Sequence, residues 1–383
     1  MNKSTAQPME NDRRSPIDFF ALAAPGVRAL DPYRPGKPLA ELAREYGITE
    51  AVKLDSNENP LGPGPRARAA IRAGCADIGR YPDGGGYALK KTLAARLAIG
   101  SDRITLGNGS NDVLELAARS FVTSSHQVIF SQHAFAVYAL ATQAIGAEAI
   151  VTPARDYGYD LGAIRAAINA RTRLIFIANP NNPTGTWIDE PELREFIQCV
   201  PPRVVIVLDE AYFEYVQAPG YPNGLRWIDR FPNLVVTRTF SKIHGLAGLR
   251  VGYAVSHPQV AELMNRVRQP FNVNSVALAA AEAALADEEH VAASVVLNKA
   301  GLAQLTGACE TLGLGYIPSA ANFLCIEFGP RARDLHEALL RRGVIVRPIA
   351  NYGLPNHLRV TVGTEPENTR FIDALRTVLN ERS

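Results

Sequence analysis

Apolar positions along this chain fall into two kinds of run. Gln127–Phe130, Leu174–Ala178, Val204–Leu208 and Leu234–Thr237 are short, rich in Val and Ile, and bounded by turn residues or charge. Such runs predict strands buried on both faces, as in a parallel sheet with helices on each side. Ala88–Leu97, Asn111–Phe121, Leu161–Ala170 and Pro191–Cys199 read instead as helices. In the second of these, Val113, Leu114, Leu116, Ala117 and Phe121 are available for a buried face.

Towards the C-terminus the pattern changes. Asn322–Phe328 predicts a strand, Arg331–Arg342 a helix closed by Gly343, and Val344–Arg347 and His357–Val362 two more strands. Thr364 with Glu367 forms a capping box for a last helix, Glu365–Asn380. This is a smaller α+β unit beside a larger α/β one. Met1 to about Pro25 reads as a flexible arm. The Pro/Gly clusters Pro32–Pro38 and Asn57–Pro65 read as extended crossing segments.

Composition narrows the class. The chain has 383 residues, 47% hydrophobic and 20% charged. A chain of this length buries roughly 75% of its unfolded surface, so it needs no disulfide or metal to fold. Its 40 Lys+Arg against 38 Asp+Glu leave a charge of +2, which argues against a nucleic-acid or membrane-surface partner. No apolar run approaches the ~18 residues of a membrane span, and the polar start is not a secretory signal. Cys75, Cys199, Cys309 and Cys325 are far apart, without a Cys-x-x-Cys pair. They predict reduced, mostly buried thiols in a cytoplasmic protein and no metal site.

Ligands of a parallel α/β sheet bind at strand C-termini and helix N-termini, and four motifs fall there. Gly107-Asn108-Gly109-Ser110-Asn111-Asp112 leads into a helix and offers backbone N–H groups to an anion at Ser110 and Asn111. It is neither a P-loop nor a dinucleotide fingerprint, since no Gly-Lys-Ser/Thr follows and Asp112 stands where a third Gly belongs. Asn179-Pro180-Asn181-Asn182-Pro183-Thr184-Gly185 fixes a rigid loop after a strand and can present the Asn182 amide. Asp209-Glu210-Ala211-Tyr212 puts a carboxylate at another strand end, where it either meets a ligand or caps the next element. Ser241-Lys242 precedes a Gly-rich stretch, with Arg250 eight residues after the lysine. Together these supply what a pyridoxal phosphate site requires: a lysine to bind its carbonyl, an aspartate for its ring nitrogen, and donors for its phosphate.

At these residues the chain resembles the fold-type I pyridoxal-phosphate-dependent aminotransferases, and most of all their histidinol-phosphate aminotransferase branch. The resemblance runs from Leu30 to Asn380. It includes Asp31-Pro32-Tyr33-Arg34-Pro35-Gly36-Lys37, Asn57-Glu58-Asn59-Pro60, Arg80-Tyr81-Pro82-Asp83, His133 to Tyr138, and Leu358 to Gly363. It implies a fold with a large cofactor-binding domain, residues 49–275. A small domain would join 30–48 to 276–383, behind an arm of residues 1–29.

The resemblance also implies roles. Lys242, Asp209 and Tyr212 would be catalytic: Lys242 holds the cofactor and moves the proton, and Asp209 pairs with the ring nitrogen. Tyr212 and Asn182 would bond the ring's phenolic oxygen, and Phe135 would stack on the ring. Ser110, Asn111, Ser241 and Arg250 would hold the phosphate. Tyr81 would reach it from a partner subunit, which makes the expected assembly a homodimer with composite sites. Tyr33, Arg347 and Arg359 would bind the phosphate or carboxylate of the substrate, a task suited to guanidinium forks. His133 and His244 read as histidines that either support the site's own residues or fill the packing, not as catalysts. Tyr159, where the branch more often has His, and Phe135, in place of a more familiar Tyr, are departures from its pattern.

The implied reaction converts L-histidinol phosphate and 2-oxoglutarate to imidazole acetol phosphate and L-glutamate. Alternatives are an aromatic amino-acid aminotransferase, a phosphothreonine-type decarboxylase, and a non-catalytic sensor on the same fold.

Overall fold

The computed structural model describes residues 17–32, 36, 39–48 and 50–381. Among them a seven-stranded sheet runs in the order Ile104–Gly107, Gly252–Val255, Leu234–Thr239, Val205–Asp209, Thr172–Ala178, Gln127–Ser131, Glu148–Thr152. Gly252–Val255 is antiparallel to both neighbours, and the other pairings are parallel. The four Val- and Ile-rich runs form the middle of this sheet, as their two-sided burial requires. Three further strands escaped the pattern. Ile104–Gly107 and Gly252–Val255 have four residues each, and the edge strand Glu148–Thr152 leaves Glu148, Ala149 and Val151 exposed.

Helices cover the sheet. Ser110–Phe121 starts one residue before its predicted bound and buries Val113, Leu114, Leu116, Ala117 and Ala118. Leu161–Ala167 stops three residues short of its predicted end. Ser275–Ala284 packs on Pro65–Gly74, and its Ala277, Ala280, Ala281 and Ala284 join the core around the large sheet.

A second core holds Leu54, Leu305, Leu324, Ile326, Leu335, Leu339, Leu358, Val360, Phe371 and Leu375. It lies on a four-stranded antiparallel sheet, Tyr316–Ile317, Phe323–Glu327, His357–Thr361, Arg347–Pro348. The last helix, Glu365–Asn380, carries the predicted capping box. One predicted strand, Val344–Arg347, divides between two sheets. Val344–Ile345 pairs in parallel with Val52–Lys53, while Arg347 lies opposite Arg359 in the antiparallel sheet.

Two expectations need correction. The arm is described from Ile17 onward, and there it contains the short helices Phe19–Leu22 and Pro25–Arg28. Asp18 caps the first by accepting from the Phe20 and Ala21 amides. Of the four free cysteines only Cys309 and Cys325 are buried. Cys75 follows one helix and Cys199 ends another, and both are exposed.

A buried ion pair braces the sheet beside the strand ends. Arg238 Nε and Nη2 lie 3.0 and 2.8 Å from Glu210 Oε2, and the Gly224 amide donates to Oε1 at 2.7 Å. The guanidinium also sits 3.5 Å over the Phe213 ring. Arg238→Met strands the Glu210 charge. It is expected to destabilise the fold by about 3–5 kcal/mol in urea unfolding, whereas a surface pair contributes under about 1 kcal/mol.

Candidate active site

The strands ending at Ala178, Asp209 and Thr239 open on one cleft, which encloses about 810 Å³ including its open mouth. Ten of the predicted site residues line it: Ser110, Asn111, Phe135, Asn182, Asp209, Tyr212, Ser241, Lys242, Arg250 and Arg359. Arg347 is buried next to Arg359 in register but is not among the lining residues. Tyr81 is 83% exposed and stacks on Phe271 with ring centres 4.8 Å apart, away from this cleft. Tyr33 lies outside the described residues.

Asp209 ends its strand inside the protein. Its Oδ2 accepts from Tyr138 Oη at 2.8 Å and its Oδ1 from Thr237 Oγ1 at 3.1 Å. Burial pushes this carboxyl above its ordinary range, and the two hydroxyls together with the Ala211 amide pull it back only in part. No Lys or Arg among the described residues forms an ion pair with it, so a cation presented from the cleft meets a ready partner. Tyr138, which the sequence reading passed over, is fully buried and stacks on Phe176 at 4.5 Å.

Lys242 Nζ donates to the Ser56 carbonyl at 3.1 Å and lies 5.6 Å from the centre of the Tyr212 ring. Burial, reinforced by Arg359 and Arg250, holds this amine down to about 7. Much of it is therefore neutral at ordinary pH, and a neutral amine is a nucleophile. Gly245, at φ +66°, lets the lysine loop close on the Gly62 carbonyl, which a Cβ there would meet at 2.0 Å. Tyr212 Oη accepts from Asn57 Nδ2 at 2.9 Å, and burial pushes the phenol up to about 12. Asn57 also ties the two cores together, since its amide donates to Thr361 Oγ1 at 2.9 Å.

The anion cradle is built from absence of side chains. The helix Ser110–Phe121 begins after Gly109, with no side-chain cap on its first amides. Asp112 is turned away and accepts from the Asn108 amide and from Asn272. A Cβ on Gly109 (φ +82°) would sit 2.5 Å from Arg250 Nη2, and one on Gly252 would sit 2.5 Å from the Ser110 nitrogen. Arg250 Nη1 reaches the Ala247 carbonyl at 3.0 Å and Ser241 Oγ at 3.5 Å. On the far wall Arg359 donates to Asn182 Oδ1 and to the Asp55 carbonyl, both at 2.6 Å, while its Nε is buried without a partner. Ser56, Asn57, Tyr138, Thr239 and Tyr352 also line it, with Ala178, Pro180 and Ala211 between them. Asn57, Tyr138 and Thr239 lay within the sequence motifs, and none of the three had been given a role.

An electron-poor ring, an amine-trapping carbonyl and a phosphate fit these groups. The depressed lysine, the buried aspartate and the uncapped helix start face one cleft. Comparison with known proteins agrees. Residues 49–375 match the family model for aminotransferase class I and II, and the chain belongs to that family. It is 58% identical over 363 residues to histidinol-phosphate aminotransferase 1 of Nitrosococcus oceani, covering 95% of this chain and 98% of the relative. Over 364 residues it is 56% identical to histidinol-phosphate aminotransferase 2 of Pseudomonas aeruginosa, covering 94% and 99%. Among solved structures it is similar to the histidinol-phosphate aminotransferase of Sinorhizobium meliloti in complex with pyridoxal-5'-phosphate. There the TM-score is 0.88 at 28% identity, over 94% of this chain and 98% of that one.

The lysine leaves a thermodynamic trace. Between about 7 and 10.5 the unfolded chain keeps a proton on Lys242 that the folded chain has shed. Stability of the cofactor-free protein therefore gains a rising contribution with pH across that window. Lys242→Met is expected to remove that contribution, read as a flatter pH dependence of the urea midpoint.

Proposed function

We propose that this chain transfers the amino group of L-histidinol phosphate to 2-oxoglutarate, giving imidazole acetol phosphate and L-glutamate, a step of histidine biosynthesis in the cytoplasm. The observation that carries amino transfer is the pairing of Lys242, held near neutrality, with a buried Asp209 that has no cation of its own. The choice of donor is supported by the high identity to relatives named histidinol-phosphate aminotransferase.

The cofactor of this proposal is pyridoxal 5'-phosphate, which when bound supplies an amine-trapping carbonyl and a ring that accepts the electron pair left at the substrate's α-carbon. Asp209, steadied by Tyr138 and Thr237, is the group to hold a protonated ring nitrogen. The uncapped amides at Ser110 and Asn111, with Ser241 and Arg250, are the donors for the phosphate. Phe135 is the ring-stacking side chain. Tyr212 and the Asn182 amide are the donors to the phenolic oxygen. Lys242 Nζ is the base for the α-proton, because an amine near 7 both takes up and returns a proton at working pH. Arg359 and Arg347, with Tyr33, are the groups proposed for the substrate's anion.

The working unit we propose is a homodimer, with Tyr81 contributing to the partner's site. Its support is the exposure of Tyr81 and Phe271 away from their own chain's cleft.

Purified protein is expected to show visible absorbance from the bound cofactor, and Lys242→Ala to lose turnover by several orders of magnitude. Its kcat/KM for histidinol phosphate should exceed that for phenylalanine by at least about a hundredfold, since removing a paired anion forfeits a charge-assisted contact. A preference for phenylalanine makes it an aromatic aminotransferase, and carbon dioxide release without glutamate makes it a decarboxylase.

A further inference from the structure

The surroundings of His133 give it more to do than fill space. Its side chain is 7% exposed, and Nδ1 lies 2.6 Å from the carbonyl oxygen of Tyr352. A carbonyl only accepts, so Nδ1 carries a proton in this contact. The bond links the segment after a strand of the large sheet to a turn after a strand of the small one. His133 follows the central strand Gln127–Ser131, while Tyr352 ends the turn Ala350–Tyr352 after Arg347–Pro348. His133 is itself anchored, since its carbonyl accepts from Asn181 Nδ2 at 2.9 Å. On the other side Gly353, at φ +75°, brings its backbone against the ring, where a Cβ would stand 3.5 Å from Cε1. Two residues on from His133, Phe135 lines the cleft, as does Tyr352.

We infer that His133 is a positioning residue for amino transfer. By donating to the Tyr352 carbonyl it holds the Tyr352 wall of the cleft at a fixed distance from the Phe135 wall. It touches neither reacting atom. The inference rests on the aminotransferase reading for its kinetic consequence but not for the bond itself. Losing the donor removes one of the ties on the 350–353 turn, so the substrate meets a site whose far wall is less firmly set in place. The effect falls on substrate capture rather than on the proton-transfer group, Lys242.

Three variants separate the bond from the volume. Asparagine places its Nδ2 about where histidine has Nδ1. Glutamine places its amide nearer the Nε2 position, and leucine has no donor. His133→Leu and His133→Gln are expected to raise KM for the amino donor about tenfold, with kcat changed less than about threefold. His133→Asn is expected to stay within about twofold of the parent. In the cofactor-free protein, backbone hydrogen exchange at residues 350–353 should quicken in the Leu and Gln variants and not in the Asn variant. Three variants that behave alike, whether all normal or all impaired, overturn the inference. If the parent transfers no amino group from any donor, the aminotransferase reading fails while the exchange pattern still decides the bond. If the Leu variant does not fold, the contrast between Asn and Gln decides it.

Discussion

Desolvation at the ends of the parallel strands is the constraint on which this structure turns. An amine and a carboxyl are both largely withdrawn from water, and neither is given the other as a partner. Lys242 answers by shedding its proton, and Asp209 by borrowing hydroxyls from Tyr138 and Thr237. Both adjustments leave unmet demand directed into one cleft. The neighbouring Glu210 and Arg238 show the alternative, in which buried opposite charges satisfy each other and leave nothing for a ligand. Neighbouring residues at the ends of two strands thus serve opposite ends, one set closing the structure and one leaving it open to a ligand.

How much of this could be read from the chain depended on the range of the interaction. The central strands announced themselves because two-sided burial demands an unbroken apolar run. Asp209, Lys242, Ser110 and Arg250 were legible because each lies in a short motif tied to a strand end or helix start. Tyr138 was not, because its role depends on a contact 71 residues away, and its position reads equally well as plain core. Asn57 meets Tyr212 across 155 residues, and Tyr352 enters the cleft from a turn with no motif of its own. The division of Val344–Arg347 between two sheets was also hidden. A four-residue apolar run carries no mark of where its pairing partner changes.

Hydrogen bonds beside the cleft tie the large sheet's side of the molecule to the second core. Asn57 bonds both Tyr212 and Thr361, and Asn322 donates to the Asn57 carbonyl at 3.0 Å. Binding at the cleft therefore bears on how the units hold each other. The relation is reciprocal, because whatever stiffens these links also sets the distance between the walls.

The strand His357–Thr361 has a practical consequence for anyone wishing to redirect this scaffold. Alternation sends Leu358 and Val360 into the second core, while His357, Arg359 and Thr361 face the other way, the last two onto the links around the cleft. A combinatorial library that randomised the whole strand would waste most of its members on collapsed cores. Restricting diversity to the odd-numbered positions leaves that core intact. Even there Thr361 is a poor choice, since altering it disturbs Asn57 and through it the tyrosine on the opposite wall.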